Sequence, residues 1–180
     1  MVLTPVEIAR KTIEAYLNHE NFELDEETKN NCCDERACFV TLTLGNNLRG
    51  CIGCLDAEEN PLWKNIQENA INAGFSDPRF PQLSKQEIDK IKIEVSVLTN
   101  PEKLEFSDEN DLLSKIDKDM GIILKKGVKS ATFLPQVWEQ LPDKIKFLQH
   151  LCLKAGLDKN AWKSDNIEIF YYRVEKFEED

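Results

Sequence analysis

Cys38-Phe39-Val40-Thr41-Leu42-Thr43-Leu44-Gly45-Asn46-Asn47-Leu48-Arg49-Gly50-Cys51-Ile52-Gly53 holds the reading that decides the fold. Val40, Leu42 and Leu44 alternate with Thr41 and Thr43, the period of a strand with one buried face. Gly45-Asn46-Asn47 is a turn signal, and Leu48 to Leu55 returns as the hairpin partner. Gly50 and Gly53 are unusual inside a strand. They predict an irregular backbone with a positive φ, or a place where a ligand meets bare main chain.

Working outward, helices and strands interleave without a βαβ rhythm. Towards the N-terminus, Thr4, Pro5 and Glu7 spell a capping box that opens a helix through Leu17. Residues 20–36 are polar and read as a long loop. Towards the C-terminus, Asn60-Pro61 opens a helix that Gly74 closes after Ala73. Ser84-Lys85-Gln86-Glu87 predicts a short capped helix, and Ile91 to Leu98 is the clearest strand. Leu112, Leu113 and Ile116 mark another short helix. Ile122–Leu124 and Val128–Phe133 form a second hairpin about Lys125-Lys126-Gly127. A helical stretch from Pro135 breaks at Pro142 and resumes to Gly156. Ile167 to Val174 is a last strand, and Glu175 to Asp180 is a charged tail. Two hairpins and no regular crossover predict an α+β fold with a largely antiparallel or mixed sheet and flanking helices. No linker or repeat divides the chain, so residues 1–180 read as one domain.

Composition bounds the function. Of 180 residues 41% are hydrophobic, enough for a real core, and 33 acidic against 23 basic residues give a net charge of −10. That field repels phosphate backbones and anionic membrane surfaces, so neither nucleic acid nor membrane is an expected partner. No apolar run reaches the length of a membrane span. The opening Met1-Val2-Leu3-Thr4-Pro5 lacks a basic segment followed by an apolar one, so no secretory signal is expected. The expected location is cytoplasmic. The six cysteines, at 32, 33, 38, 51, 54 and 152, then read as reduced thiols rather than disulfides.

Cys51 is the thiol that local chemistry favours. It stands between glycines, and Arg49, two residues away in an extended segment, would share its face. A guanidinium there would stabilise a thiolate, and bare amides could hold an oxyanion, as a covalent acyl or thiol transfer requires. The plainer alternative is a small packing residue beside glycines needed for a bulge. Cys51-x-x-Cys54 lies inside a strand, the wrong setting for a redox pair at a helix N-terminus, and lacks a second pair for zinc. No metal and no cofactor are expected. Arg79, in a loop stiffened by Pro78 and Pro81, could bind a carboxylate bidentately or tie itself to Asp77. Lys129-Ser130-Ala131-Thr132 offers a cation and two hydroxyls to an anion. Glu94 lies opposite an apolar stripe and would face a cleft or solvent. His19 and His150 are the only imidazoles.

The string Leu48-Arg49-Gly50-Cys51-Ile52-Gly53 resembles the LRGCIG-type motif of the AMMECR family, whose bacterial and archaeal members are called AmmeMemoRadiSam system protein A. Further blocks match in order: Phe39-Val40-Thr41-Leu42, Ser76-Asp77-Pro78-Arg79-Phe80-Pro81, Glu94-Val95-Ser96-Val97-Leu98, Lys129 to Trp138, Lys154-Ala155-Gly156-Leu157 and Ala161-Trp162. The chain departs from the pattern at Cys54, where the family usually has Thr or Ser. Cys32, Cys33 and Cys38 are not family positions. The resemblance implies a fold of two intertwined subdomains around a cleft. It also implies a pathway shared with a Memo-like protein and a radical S-adenosylmethionine protein, and no settled biochemical activity.

Two functions of different class fit these residues. One is a binding or scaffold module whose motif-lined cleft, Leu48 to Gly53 with Arg49, Gly50, Gly53, Arg79 and Ser130, takes a small anionic ligand or a partner. The other is a cysteine-dependent enzyme with Cys51 as nucleophile on a small anionic metabolite. The reactivity of the Cys51 thiol discriminates them.

Overall fold

Thr4 and Glu7 close the expected capping box: the Thr4 Oγ1 accepts the Glu7 N–H, and the Glu7 carboxylate accepts the Thr4 N–H at 2.8 Å. With Pro5 in the first turn, helix α1 runs over Pro5–Asn18. The computed structural model describes residues 1–57 and 59–180. After α1 come α2 (Glu26–Asn31), β1 (Cys38–Leu44), β2 (Asn47–Gly53), α3 (Leu62–Phe75), β3 (Ile91–Leu98) and β4 (Glu102–Lys103). Then follow α4 (Glu109–Lys115), β5 (Gly121–Lys126), β6 (Lys129–Phe133), α5 (Val137–Gln140), α6 (Lys144–Lys154), β7 (Glu168–Tyr172) and β8 (Val174–Glu178).

The fold is α+β, built on two four-stranded sheets of order β2-β1-β3-β8 and β4-β7-β5-β6. The chain divides into two units, Met1–Leu98 with Glu175–Asp180, and Thr99–Val174. In the first unit, β1 pairs antiparallel with both β2 and β3. The β1–β2 turn is the two-residue loop Gly45-Asn46, with Gly45 at φ 62°, a conformation that glycine adopts without strain. Cys38, Val40 and Leu42 of β1 and Ile93, Val95 and Val97 of β3 point to one face. There they bury against Ile8 and Ile13 of α1 and Ile66, Ala70 and Ala73 of α3. Each valine, leucine or isoleucine among them contributes about 2 kcal/mol when fully buried.

In the second unit β5 pairs antiparallel with β6 and β7, and β7 with β4. Its core gathers Leu112, Ile122, Leu124, Phe147, Leu151 and Ile169. Trp138 stacks on Phe147 with ring centroids 3.6 Å apart and donates its indole N–H to the Met120 carbonyl at 2.9 Å.

Several local expectations are corrected. Residues 26–31 of the supposed loop form α2, capped by Asp25, whose side chain accepts the Thr28 N–H. Helix α3 runs past Gly74, which lies buried within it. Ser84 to Glu87 makes turns rather than a helix, although the Ser84 N–H does bond the Glu87 carboxylate at 2.9 Å. The strand expected over Ile167–Val174 is β7, and most of the residues expected as a charged tail form a further strand, β8, at the edge of the other sheet. That strand is held there because Glu179 bonds Arg10 and accepts the Ile93 N–H.

Candidate functional site

The irregularity predicted for the glycines sits one residue earlier. Leu42 pairs with Gly50 and Thr43 with Leu48, so Arg49 is the extra residue of a β-bulge. Gly50 and Gly53 stand in the strand, and the glycines with positive φ are Gly45, Gly127 and Gly156. Close packing is what requires the motif glycines. A Cβ on Gly50 would lie 2.1 Å from the Ala73 carbonyl oxygen of α3, and one on Gly53 would lie 2.5 Å from the Phe39 ring.

The bulge also breaks the alternation that would have put Arg49 beside the thiol. Arg49 is buried and forms a two-point pair with Glu87, Nε to Oε1 at 2.8 Å and Nη2 to Oε2 at 3.2 Å. That guanidinium, helped by the Ser84 N–H and hydroxyl, holds the Glu87 carboxyl down to about 2. Its Nη2 also reaches the Gln82 carbonyl at 3.4 Å.

Cys51 occupies the opposite surface. Thr41 pairs with Cys51 on one side and Glu94 on the other, so these three side chains make one row across the sheet, on the face away from α1 and α3. The Thr41 Oγ1 and the Cys51 Sγ are 3.2 Å apart. Glu94 accepts the Ser96 hydroxyl at 2.9 Å, and Lys176 of β8 lies 3.5 Å from its other oxygen. Cys51 is half-buried, whereas Cys38, on the core face, is fully buried, which pushes its thiol up to about 12.

β2 is an edge strand, and its outward backbone groups at Cys51 are satisfied by a loop. The Cys51 N–H donates to Asp77 Oδ2 at 3.0 Å, and the Cys51 carbonyl accepts from Arg79 Nη2 at 3.0 Å. Arg79 and Asp77 are themselves joined at 2.7 Å and 3.0 Å. With the Arg79 guanidinium beside it, the buried Asp77 carboxyl is held well below the usual carboxylate range. The amide expected to stabilise an oxyanion is therefore occupied. The guanidinium itself stays in reach of solvent, its side chain 53% exposed.

The structure thus brings Cys51, Gly50, Gly53 and Arg79 together and turns Arg49 into the protein. Ser130 lies exposed on β6 of the second unit, opposite Lys125. There Lys129 donates to the Gly156 carbonyl, at 2.7 Å. Among the described residues no cysteine is joined in a disulfide, and no group of three or more potential ligands suited to a metal ion occurs. No helix of the described residues is long and apolar enough to cross a membrane. Thr41 and Glu87 were missed as neighbours of the motif. The alternation of β1 and the Ser84–Glu87 capping pattern were the signals that could have found them.

An α+β protein of two sheets, with a bulged glycine motif on an edge strand clamped by an Asp-Pro-Arg loop, is the class that fold and site define. The AMMECR1 family model matches residues 6–177, and the chain belongs to that family. Protein NEQ441 of Nanoarchaeum equitans is 41% identical over 176 residues, covering 96% of this chain and 97% of its own. Protein MJ0810 of Methanocaldococcus jannaschii is 37% identical over 181 residues, covering 97% and 88%. The crystal structure of uncharacterized protein PH0010 from Pyrococcus horikoshii superposes with a TM-score of 0.76 at 34% identity, covering 98% of this chain and 90% of that one.

Proposed function

We propose that this AMMECR1-family chain is a noncatalytic binding component, and that the Cys51–Thr41–Glu94 face takes a small anionic ligand beside Arg79. The ligand would link it to a pathway shared with a Memo-like and a radical S-adenosylmethionine protein, as the family resemblance implies. The observation that carries this reading is the clamp on Cys51. Asp77 and Arg79 hold its N–H and its carbonyl along the outer edge of β2 while the residue stays half-buried, as presentation to a ligand requires. Arg79 keeps a solvent-facing surface for an anion, and Thr41 adds a hydroxyl. Arg49 serves by bracing the Glu87 loop, and Gly50 and Gly53 by admitting close neighbours.

The cysteine-enzyme alternative draws on one contact, the Thr41 hydroxyl at the thiol, but the Cys51 N–H is not free to hold an oxyanion. Amide spectra recorded during titration with phosphate and with small dicarboxylates test the reading. Saturable shifts confined to Thr41, Cys51, Glu94 and Arg79, lost in Thr41→Val and weakened in Cys51→Ser, support it. An absence of saturable shifts with either anion class refutes it. Alkylation of Cys51 much faster than that of an ordinary exposed thiol at neutral pH would favour the nucleophile instead.

A further inference from the structure

Strand β6 ends the order of the second sheet, so one side of its backbone faces away from β5. Lys126 pairs with Lys129 across the two-residue turn Gly127-Val128, and Lys125 pairs with Ser130. In such a hairpin the pair that flanks the turn bonds inward, and the next residue along directs its N–H and carbonyl outward. Ser130 and Thr132 therefore carry the outward groups of β6. The Thr132 carbonyl bears out that parity by accepting the Lys154 ammonium at 2.8 Å. Ser130 is exposed, and its outward N–H and carbonyl have no hydrogen-bond partner among the described residues. On the edge of the first sheet the corresponding groups, at Cys51, are taken by Asp77 and Arg79.

The charge around this edge selects what pairs with it. Lys125 stands over the Phe170 ring, 4.8 Å from its centroid. Lys126 reaches the Ser164 hydroxyl at 3.2 Å and Lys129 the Gly156 carbonyl at 2.7 Å. These partners, like the Thr132 carbonyl of Lys154, are neutral. None of the four lysines forms an ion pair among the described residues, and Glu168, opposite Lys125 in the ladder, is engaged by Lys103 at 3.4 Å. On a chain of net charge −10, four unmatched cations around one strand invert the local field. Lysines on an edge repel other basic strands, a second copy's β6 included, and leave an acidic one favoured.

We propose that the β6 edge is a docking surface for an extended acidic segment of a partner protein, which adds as a further strand beside Ser130. Its backbone takes the Ser130 N–H and carbonyl, and its carboxylates meet the four lysines, Lys154 leaving the Thr132 carbonyl to do so. The surface is independent of the Cys51 face.

The test is titration of the whole chain with a capped peptide of alternating Glu and Thr, with its Gln-for-Glu counterpart, and with phosphatidylserine vesicles, followed through amide spectra. The acidic peptide should shift Ser130 and Thr132 saturably and slow exchange of the Ser130 amide by about tenfold. The Gln peptide should bind more weakly by at least about tenfold, since several charge contacts are lost. Lys129→Glu, at an exposed position, should weaken the acidic peptide while the spectrum stays folded. Ser130→Pro keeps all four lysines and removes only an outward N–H, which an edge strand tolerates, and should abolish the saturable shifts. Equal binding of the two peptides, undiminished binding in a folded Ser130→Pro chain, or no saturable shift with either peptide would overturn the proposal. So would binding of the vesicles alone, through Val128, which is fully exposed at the hairpin tip.

Discussion

The Asp77 carboxylate accepts the Cys51 backbone N–H at 3.0 Å and stands in for the strand that the edge of the first sheet lacks. An unpaired edge invites other chains to pair with it, and a buried carboxylate tied to a loop arginine closes that route. Asp77→Ala should speed amide hydrogen exchange at Cys51 by at least about tenfold and lower stability by about 2 kcal/mol, the range for a hydrogen bond to a charged group. Edge-to-edge association should rise with it, measurable by light scattering. Unchanged exchange at Cys51 would show that the clamp carries no stability.

The Arg49–Glu87 pair gives a pH dependence. The Glu87 carboxyl, ordinarily near 4.5, sits at about 2 in the folded chain, held first by the Arg49 hydrogen bonds, and Asp77 is depressed in the same direction by Arg79. A depressed carboxyl contributes stability that is full above its unfolded value and is lost as pH falls towards the folded value. Unfolding by urea should therefore become easier from about pH 4.5 down to about pH 2. Arg49→Met should flatten part of this slope and cost about 2 kcal/mol at neutral pH, because it strands a partly buried carboxylate. Arg49→Met combined with Glu87→Gln should recover much of the loss. A slope unchanged in Arg49→Met would mean that the pair does not set the acid limb.

Much of the framework was legible because local signals agreed with the final packing. Thr4-Pro5-x-Glu7 capped α1, alternation set β1 and β3, and Gly127 turned the second hairpin at φ 59°. The candidate site was legible in its residues and less so in their directions. A bulge is a property of the pairing, so nothing within the motif said that Arg49 would be skipped while Leu48 and Gly50 paired. Glu87 lies 38 residues from Arg49 in sequence, and only the folded chain brings them together. Glu175 to Asp180 read as a tail because its charges suited solvent. A two-point ion pair, Arg10 to Glu179, outweighed that composition.

Gly50 should not tolerate even a methyl group. A Cβ would stand 2.1 Å from the Ala73 carbonyl oxygen and 3.1 Å from its carbon, both backbone atoms of α3 that cannot rotate aside. Gly50→Ala should cost about 3 kcal/mol or prevent folding, the upper range for overpacking. The comparison is Gly127→Ala, where nothing lies within 4 Å and the cost is only the φ of 59°. That cost is about 1–2 kcal/mol. Thermal unfolding of the two variants separates packing from conformation. A Gly50→Ala chain as stable as the parent would return the glycine to a ligand-facing role.

The C-terminal strand gives the last expectation. Arg10 of α1 donates to Glu179 through Nε at 2.7 Å and to the Ile88 carbonyl through Nη1 at 2.7 Å. The same carboxylate accepts the Ile93 N–H at 2.9 Å. One guanidinium thus ties together the first helix, the entry to β3 and the end of the chain, and its pKa is raised first by the Glu179 hydrogen bond. Both side chains are about four-fifths covered, at 20% and 23% exposure, so the pair is screened less than a surface bridge. Glu179→Gln keeps the shape and one acceptor oxygen but removes the charge, and should cost about 1 kcal/mol. Removing Glu179 and Asp180 should cost about 2 kcal/mol more, since Arg10 is left partly buried and unpaired. Hydrogen exchange distinguishes the mechanism from general loosening: the Ile93 amide should lose protection in the truncated chain, while Val40 and Leu42 of the central strand keep theirs. If the Ile93 amide stays protected without Glu179, β8 is held by its ladder alone and the ion pair is incidental.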